Sequence, residues 1–167
     1  MSEEDPTKDV TIVRVPLTPL WRSAFSLGFL GLVAGLVLAG FFVVQDHAKA
    51  DAVSKVFQAA RTTILQFHAE KELWPTDFDF TRVPAELTPF NAAALSQSLA
   101  QCPLSGTWRF VQKGSAGKPA IIFTPESPGR SFQRTLLVVD RWIDDGQAAR
   151  GQFLVGEESA MLKLTDE

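Results

Sequence analysis

The stretch from Ser23 to Gln45, SAFSLGFLGLVAGLVLAGFFVVQ, contains no ionisable side chain. About 20 consecutive apolar residues are enough for a helix to cross the roughly 30 Å hydrocarbon core of a bilayer. A helix that is apolar on every side lies either in lipid or deep inside a protein, and this chain is short for so large a core. We therefore predict a transmembrane helix over residues 23–45, preceded by an N-terminal tail of residues 1–22.

The sequence also indicates whether this segment is kept in the mature chain. Ala48-Lys49-Ala50 offers small residues where a signal peptidase cuts. Signal peptides, however, carry a shorter apolar core of about 7 to 15 residues and a shorter tail before it. A permanent anchor is the better interpretation, and cleavage after Ala50 is the alternative.

Basic residues near the two ends of the apolar segment bear on its orientation. They are equal in number, with Lys8, Arg14 and Arg22 before the segment and Lys49, Lys55 and Arg61 after it. Arg22 directly adjoins the apolar run, which favours a cytoplasmic tail. We expect the N-terminus in the cytoplasm and the rest of the chain on the opposite side of the membrane.

Small residues recur at every fourth position within the apolar segment, at Gly31, Gly35 and Ala39. Such spacing lets a second helix approach closely in lipid. Glycine is also simply common in membrane helices, so the pattern has two interpretations. It makes these three residues candidates for helix packing in the membrane.

An amphipathic helix is predicted directly after the apolar segment, over residues 46–73. Its apolar face, which we expect to pack on a sheet, consists of Val53, Val56, Phe57, Ala60, Ile64 and Phe67. Neither proline nor glycine interrupts the chain between Val44 and Asp51, and the first strong stop is Trp74-Pro75. One helix could therefore run from about Trp21 to Glu72, roughly 78 Å at 1.5 Å per residue.

The remaining residues predict a small α+β domain, which with the amphipathic helix spans residues 46–167. A proline-rich loop over residues 74–90 precedes a short helix that Asn91 would cap. Apolar and polar residues alternate in the later segments. We predict strands over 106–112, 119–124, 151–155 and 159–164, forming a four-stranded antiparallel sheet, and favour a helix over a strand for 131–143.

Several local sequences resemble the type IV pilin and type II secretion pseudopilin superfamily. FHAEKELWPTD resembles the end of the long pilin helix, CPLSGTWRF the start of its first strand, and IDDGQAARGQFLVGEESAMLKL its closing turn and hairpin. The resemblance implies a pilin-like fold in which the long helix packs on the small sheet. It also implies a non-enzymatic subunit of a secretion or pilus-type assembly in the bacterial inner membrane, with a periplasmic domain.

The resemblance also implies a processing site. Prepilins are cut before a Phe-led apolar segment whose fifth residue is glutamate, and Ala24-Phe25 resembles that cut. The fifth residue here is Phe29 instead of the glutamate that pairs with a neighbouring subunit in the family. This implies a minor subunit at a tip, or a relative that keeps its anchor without polymerising.

Other function classes lack the residues that they need. The net charge of −3 carries no basic field for nucleic acid. His47 and His68 lie roughly 30 Å apart along the predicted helix, and Cys102 has no neighbouring histidine. We expect no enzyme, no cofactor and no nucleic-acid partner; the expected partners are membrane lipid and either pilin-like subunits or other secretion-system membrane proteins.

Two alternatives stay open. Asp140, Asp144 and Asp145 offer oxygen ligands of the kind that calcium takes, and some pseudopilins bind calcium in their C-terminal loops. A solvated turn at a helix end is the simpler explanation, so we expect no metal and keep calcium as the less favoured alternative. Separately, the chain could be a tethered binding module that never assembles. Exposure of Trp74, Phe78, Phe80 and Phe90 would favour that function.

Overall fold

A computed structural model describes residues 19–114 and 117–164 of the chain, with side chains from residue 23 onward. Residues 1–18 of the N-terminal tail, with Lys8 and Arg14, lie outside these residues, as does the side chain of Arg22. Helix α1 is continuous from Pro19 to Lys71, as the absence of proline and glycine after Val44 predicts. The described residues divide into two compact units, the first ending at Gly40 and the second beginning at Phe41.

In the first unit, every described side chain from residue 23 to 40 is exposed. The apolar exposure continues into the second unit as far as Val44. Among the residues that the structure describes, α1 is the one helix long and apolar enough to cross a membrane. The chain is therefore compatible with a single-pass anchor.

The second unit has α+β architecture, as predicted, but its antiparallel sheet has five strands instead of four. The strands are β1 (Phe78–Asp79), β2 (Gly106–Val111), β3 (Ala120–Pro125), β4 (Phe153–Val155) and β5 (Ala160–Lys163). Their order in the sheet is β1-β2-β3-β5-β4. The extra strand, β1, pairs with the far edge of β2, where Phe78 lies opposite Phe110.

Two further α-helices connect the strands. Helix α2 (Ala92–Ala100) lies between the proline-rich loop and β2, and α3 (Arg130–Ile143) lies between β3 and β4. The choice of helix for the segment after residue 130 is thus correct. The loop before α2 contains two short 3₁₀ helices, Phe80–Arg82 and Ala85–Leu87.

Asn91 precedes α2 in a way that the sequence did not predict. It adopts a left-handed conformation with φ of 65°, and its side chain makes no capping hydrogen bond. Asparagine tolerates this region better than most residues because its short polar side chain limits the steric cost. Asn91 therefore turns the backbone into α2, and the prediction that its side chain caps the helix is wrong.

Helix α1 ends by a similar device. Glu72 has a φ of 55° and donates its backbone N–H to the carbonyl of His68 at 2.8 Å. The chain then reverses, and the ring of Trp74 stacks on the ring of His68 with 3.8 Å between centroids. This reversal brings the following loop back along the helix.

Candidate functional site

The predicted helix-packing residues of the apolar segment lie on an open surface. Gly31, Gly35 and Ala39 are exposed in α1. A Cβ atom added at Gly31 or Gly35 would meet no heavy atom within 4 Å. The positions therefore have room for the close approach of another helix. Phe25 and Phe29, the first and fifth residues after the prepilin-like cut, are also exposed, at 71% and 68%.

The six residues of the predicted helix face are all buried in the second unit. Val53, Val56, Phe57, Ala60 and Ile64 lie in one core with residues from all three α-helices and from β2, β3, β4 and β5. Phe57 is central, since its ring contacts Trp108 of β2 at 4.7 Å and Phe153 of β4 at 4.9 Å between centroids. The sheet therefore packs on this part of α1.

Phe67 differs from the other five residues. It lies in a smaller cluster with Leu87 and Phe90, and its ring meets that of Phe90 edge to face at 5.5 Å. The last turns of α1 therefore hold the proline-rich loop. The helix–sheet core itself ends near Ile64.

The aromatic residues of the loop are turned inward. Phe80 and Phe90 are buried, at 4% and 7% exposure, while Trp74 and Phe78 are half-buried. Phe78 packs against Phe80 and against Phe110 of β2. The exposed aromatic surface that would have favoured a binding module is absent from these four residues.

The loop between α3 and β4 is organised by the carboxylate of Asp144. This side chain accepts the backbone N–H of Phe153 at 2.9 Å and, at shorter range, that of Gln152. Gly151 has a φ of +83°, and a Cβ atom there would collide with the same carboxylate. Asp145 in turn accepts the N–H of Gln147 at 2.8 Å. Asp144 thus ties the end of α3 to the start of β4, while Asp145 fixes the turn directly after α3.

Asp140 lies one helical turn before this loop and is fully buried. Neither of its carboxylate oxygens has a hydrogen-bond partner among the described residues. Burial, together with the nearby charges of Asp144 and Asp145, raises the pKa of Asp140 to about 6. A buried carboxyl without a partner is far cheaper to keep in its neutral form.

The structure brings Asp140, Asp144 and Asp145 together, with one oxygen of each within 4.8 Å of the others. Three carboxylates at this spacing repel one another, which favours protonation of the buried one, or they can contribute part of the 6 to 8 oxygens that calcium takes. One oxygen of Asp144 and one of Asp145 already accept backbone N–H groups. The cluster therefore has a structural role in the loop as well as open capacity for a cation.

Cys102 lines a cavity of about 210 Å³ between the 3₁₀ turn and β2, together with Leu99 and Trp108. Burial raises the pKa of the Cys102 thiol, and its sulfur lies 3.8 Å from the carbonyl oxygen of Leu104. A thiol held in its protonated form is a poor nucleophile. We therefore interpret Cys102 as a residue that contributes apolar packing.

Sequence reasoning missed the loop-organising roles of two aspartates, although it named Asp144 as a candidate cation ligand. Asp77 accepts the backbone N–H of Gln112 at 2.7 Å and so fixes the end of β2. Asp144 does the same for β4. The signals were present in the sequence, as an Asp-Phe-Asp-Phe alternation typical of a strand and as the glycine at position 151.

Comparison of this chain with protein-family models, with curated proteins and with solved structures finds no match.

Proposed function

We propose that this chain is a single-pass inner-membrane protein of pilin-like fold that acts as a non-enzymatic subunit of a secretion or pilus-type assembly. One observation carries the proposal: α1 joins an exposed apolar segment to a buried amphipathic segment without interruption. An anchor that continues as the spine of a small antiparallel α+β domain is the arrangement that the pilin resemblance implies.

The membrane is the partner that the exposed segment requires. Large apolar side chains such as Phe25, Leu30, Leu36 and Phe42 are 61–71% exposed along it. Water around so many apolar groups costs roughly 25 cal/mol per Å² of surface. A hydrocarbon environment removes that cost. In the proposed orientation, the tail lies in the cytoplasm and the domain in the periplasm.

Side-by-side packing of apolar segments supports the assembly role. The open surface at Gly31 and Gly35 allows two backbones to approach within van der Waals contact. Phe29 supplies apolar contact where polymerising relatives carry a charge. We therefore assign the chain to a minor or non-polymerising position, in which a few helices pack together.

Cysteine crosslinking in native membranes tests this role. Gly31→Cys and Gly35→Cys, each in a Cys102→Ser background, place a thiol on the small-residue stripe. Val33→Cys is the matched control, since it lies about 200° around the helix from Gly31 at 100° per residue. Oxidation should give crosslinked species for the two glycine positions and little for Val33.

The tethered binding module makes the opposite prediction for the same experiment. A chain that never assembles would stay monomeric at all three positions. The inward packing of Phe80 and Phe90 removes the surface that would have favoured this function. Monomers alone would nevertheless overturn the assembly proposal while leaving the anchor in place.

A further inference from the structure

Trp142 is an exposed tryptophan in the last turn of α3, with 47% of its surface accessible. Among the described residues after Val44, the other exposed large apolar side chains are Leu73 and Leu137. Leu73 lies beyond the far end of α1, and Leu137 lies about 140° around α3 from Trp142. Within the described part of the chain, Trp142 is therefore exposed without another large exposed apolar side chain beside it. Its location in the fold decides what it can contact.

That location is beside the end of the apolar segment. The ring of Trp142 lies 6.1 Å from the ring of His47 between centroids, with both residues in the second unit. His47 follows Val44, the last exposed apolar residue of α1, by three positions, which is about 4.5 Å along the helix axis. Trp142 thus lies just past the point at which α1 becomes polar.

A bilayer places a defined chemical layer at this height. The hydrocarbon core is roughly 30 Å thick and the whole bilayer about 40–45 Å, which leaves about 5–7.5 Å of headgroup region on each side. An apolar segment that fills the core and ends at Val44 puts His47, and the indole beside it, within this layer. Tryptophan is enriched there because its ring is apolar while its N–H donates hydrogen bonds.

The charges near Trp142 are mixed. Arg141 is exposed beside it, and Lys49 lies within one turn of His47. Asp46 adjoins His47, while Asp144 and Asp145 follow the end of α3. Because the basic groups are matched by acidic ones, attraction to anionic lipid does not provide the driving force. The contact depends on the indole.

We propose that Trp142 is a membrane-interface anchor, whose indole inserts into the headgroup layer of the bilayer that holds α1. The inference rests on the proposed membrane location of α1. It adds a second attachment point, contributed by a different helix, which fixes the end of α3 against the lipid surface. A phospholipid bilayer of any headgroup charge satisfies it.

The test uses the full chain labelled with 5-fluorotryptophan in phosphatidylcholine nanodiscs. The fluorine resonance of Trp142 is assigned by its loss in Trp142→Phe, and those of Trp21, Trp74 and Trp108 by the same substitution. Lipid carrying a paramagnetic label near the headgroup broadens nearby resonances, and a water-soluble gadolinium chelate broadens exposed ones. Trp74, stacked on His68 about 31 Å along α1 from His47, is the internal control.

We expect the Trp142 resonance to lose most of its intensity with the lipid label while that of Trp74 keeps its intensity. Replacing part of the phosphatidylcholine with anionic lipid should leave this loss unchanged. Broadening of Trp142 by the chelate alone would overturn the inference, and so would protection from both reagents, which would indicate cover by a second protein copy. Trp21 separates the two proposals because it adjoins the apolar segment. If the lipid label broadens the Trp21 resonance but not the Trp142 resonance, the interface anchor alone is overturned. If the label broadens neither resonance, both proposals are overturned.

Discussion

The ring of Phe57 on α1 meets the ring of Phe153 on β4 edge to face, with 4.9 Å between centroids and an interplanar angle of 90°. Strand β4 is an edge strand of the sheet. The contact therefore joins the amphipathic part of α1 directly to the last hairpin. Both side chains are fully buried, so the two rings stabilise the domain chiefly through apolar burial, with a smaller contribution from their geometry.

Replacing Phe57 with alanine should lower the free energy of unfolding of the domain by about 3–5 kcal/mol, since a large buried ring leaves a cavity. Chemical denaturation of the full chain in detergent micelles measures this change. Phe42→Ala is the matched control, because it also removes a phenylalanine ring, but one that is 61% exposed. Equal effects of the two substitutions would mean that Phe57 is not part of the core.

Substitution of Gly151 tests the loop that Asp144 organises. Gly117 and Gly151 both have positive φ, of 71° and 83°, but open space surrounds Gly117. Gly117→Ala should cost about 1–2 kcal/mol for the left-handed backbone alone. Gly151→Ala should cost at least about twice as much, since its Cβ atom also displaces the carboxylate that accepts two backbone N–H groups. Thermal unfolding of the two variants compares these costs, and a similar loss for both would contradict the Asp144 contact.

The buried carboxyl of Asp140 should make stability depend on pH. Its pKa is about 6 in the folded chain, against an ordinary value of 3.8, so the folded state holds the proton more tightly. Stability is therefore unaffected by this group below about pH 4, falls as pH rises toward 6 by on the order of 3 kcal/mol, and levels off above that pH. Asp140→Asn should remove this loss and melt at a higher temperature than the wild type at pH 7.

Asp51→Asn is the control for net charge, because Asp51 is exposed and pairs with Lys55. It should leave the pH dependence of the melting temperature unchanged. Added calcium tests the alternative that the three aspartates bind a cation. If calcium raised the melting temperature of the wild type at pH 7 and left that of Asp140→Asn unchanged, the cluster would be a metal site.

Cys102 should react slowly with alkylating reagents in the folded protein, because burial raises the pKa of its thiol. Iodoacetamide labelling at pH 7.5, followed by mass spectrometry, compares the native chain with the chain in denaturant. We expect labelling to be much slower in the native state. Equal rates would show that the thiol is accessible and ionised.

The long periodic elements of this chain could be predicted from sequence because their patterns extend over many residues. The apolar run, the amphipathic face from Val53 to Ile64 and the helix over 131–143 belong to this group. Strand β1 was missed because the Asp-Phe alternation around it spans only four residues in a proline-rich loop, and its partner Phe110 is distant in sequence. Burial of Asp140 could not be predicted, since a helix end with three aspartates reads equally well as a solvated surface.

The central claim is that the apolar segment, at least from Phe25 to Gln45, remains attached to the domain and holds it in a membrane. Intact-mass measurement of the chain from carbonate-washed cell membranes tests this directly. The claim predicts that the chain stays in the membrane fraction with a mass that includes the apolar segment, beginning at Met1 or at Phe25. A soluble chain that begins at Asp51 would contradict it.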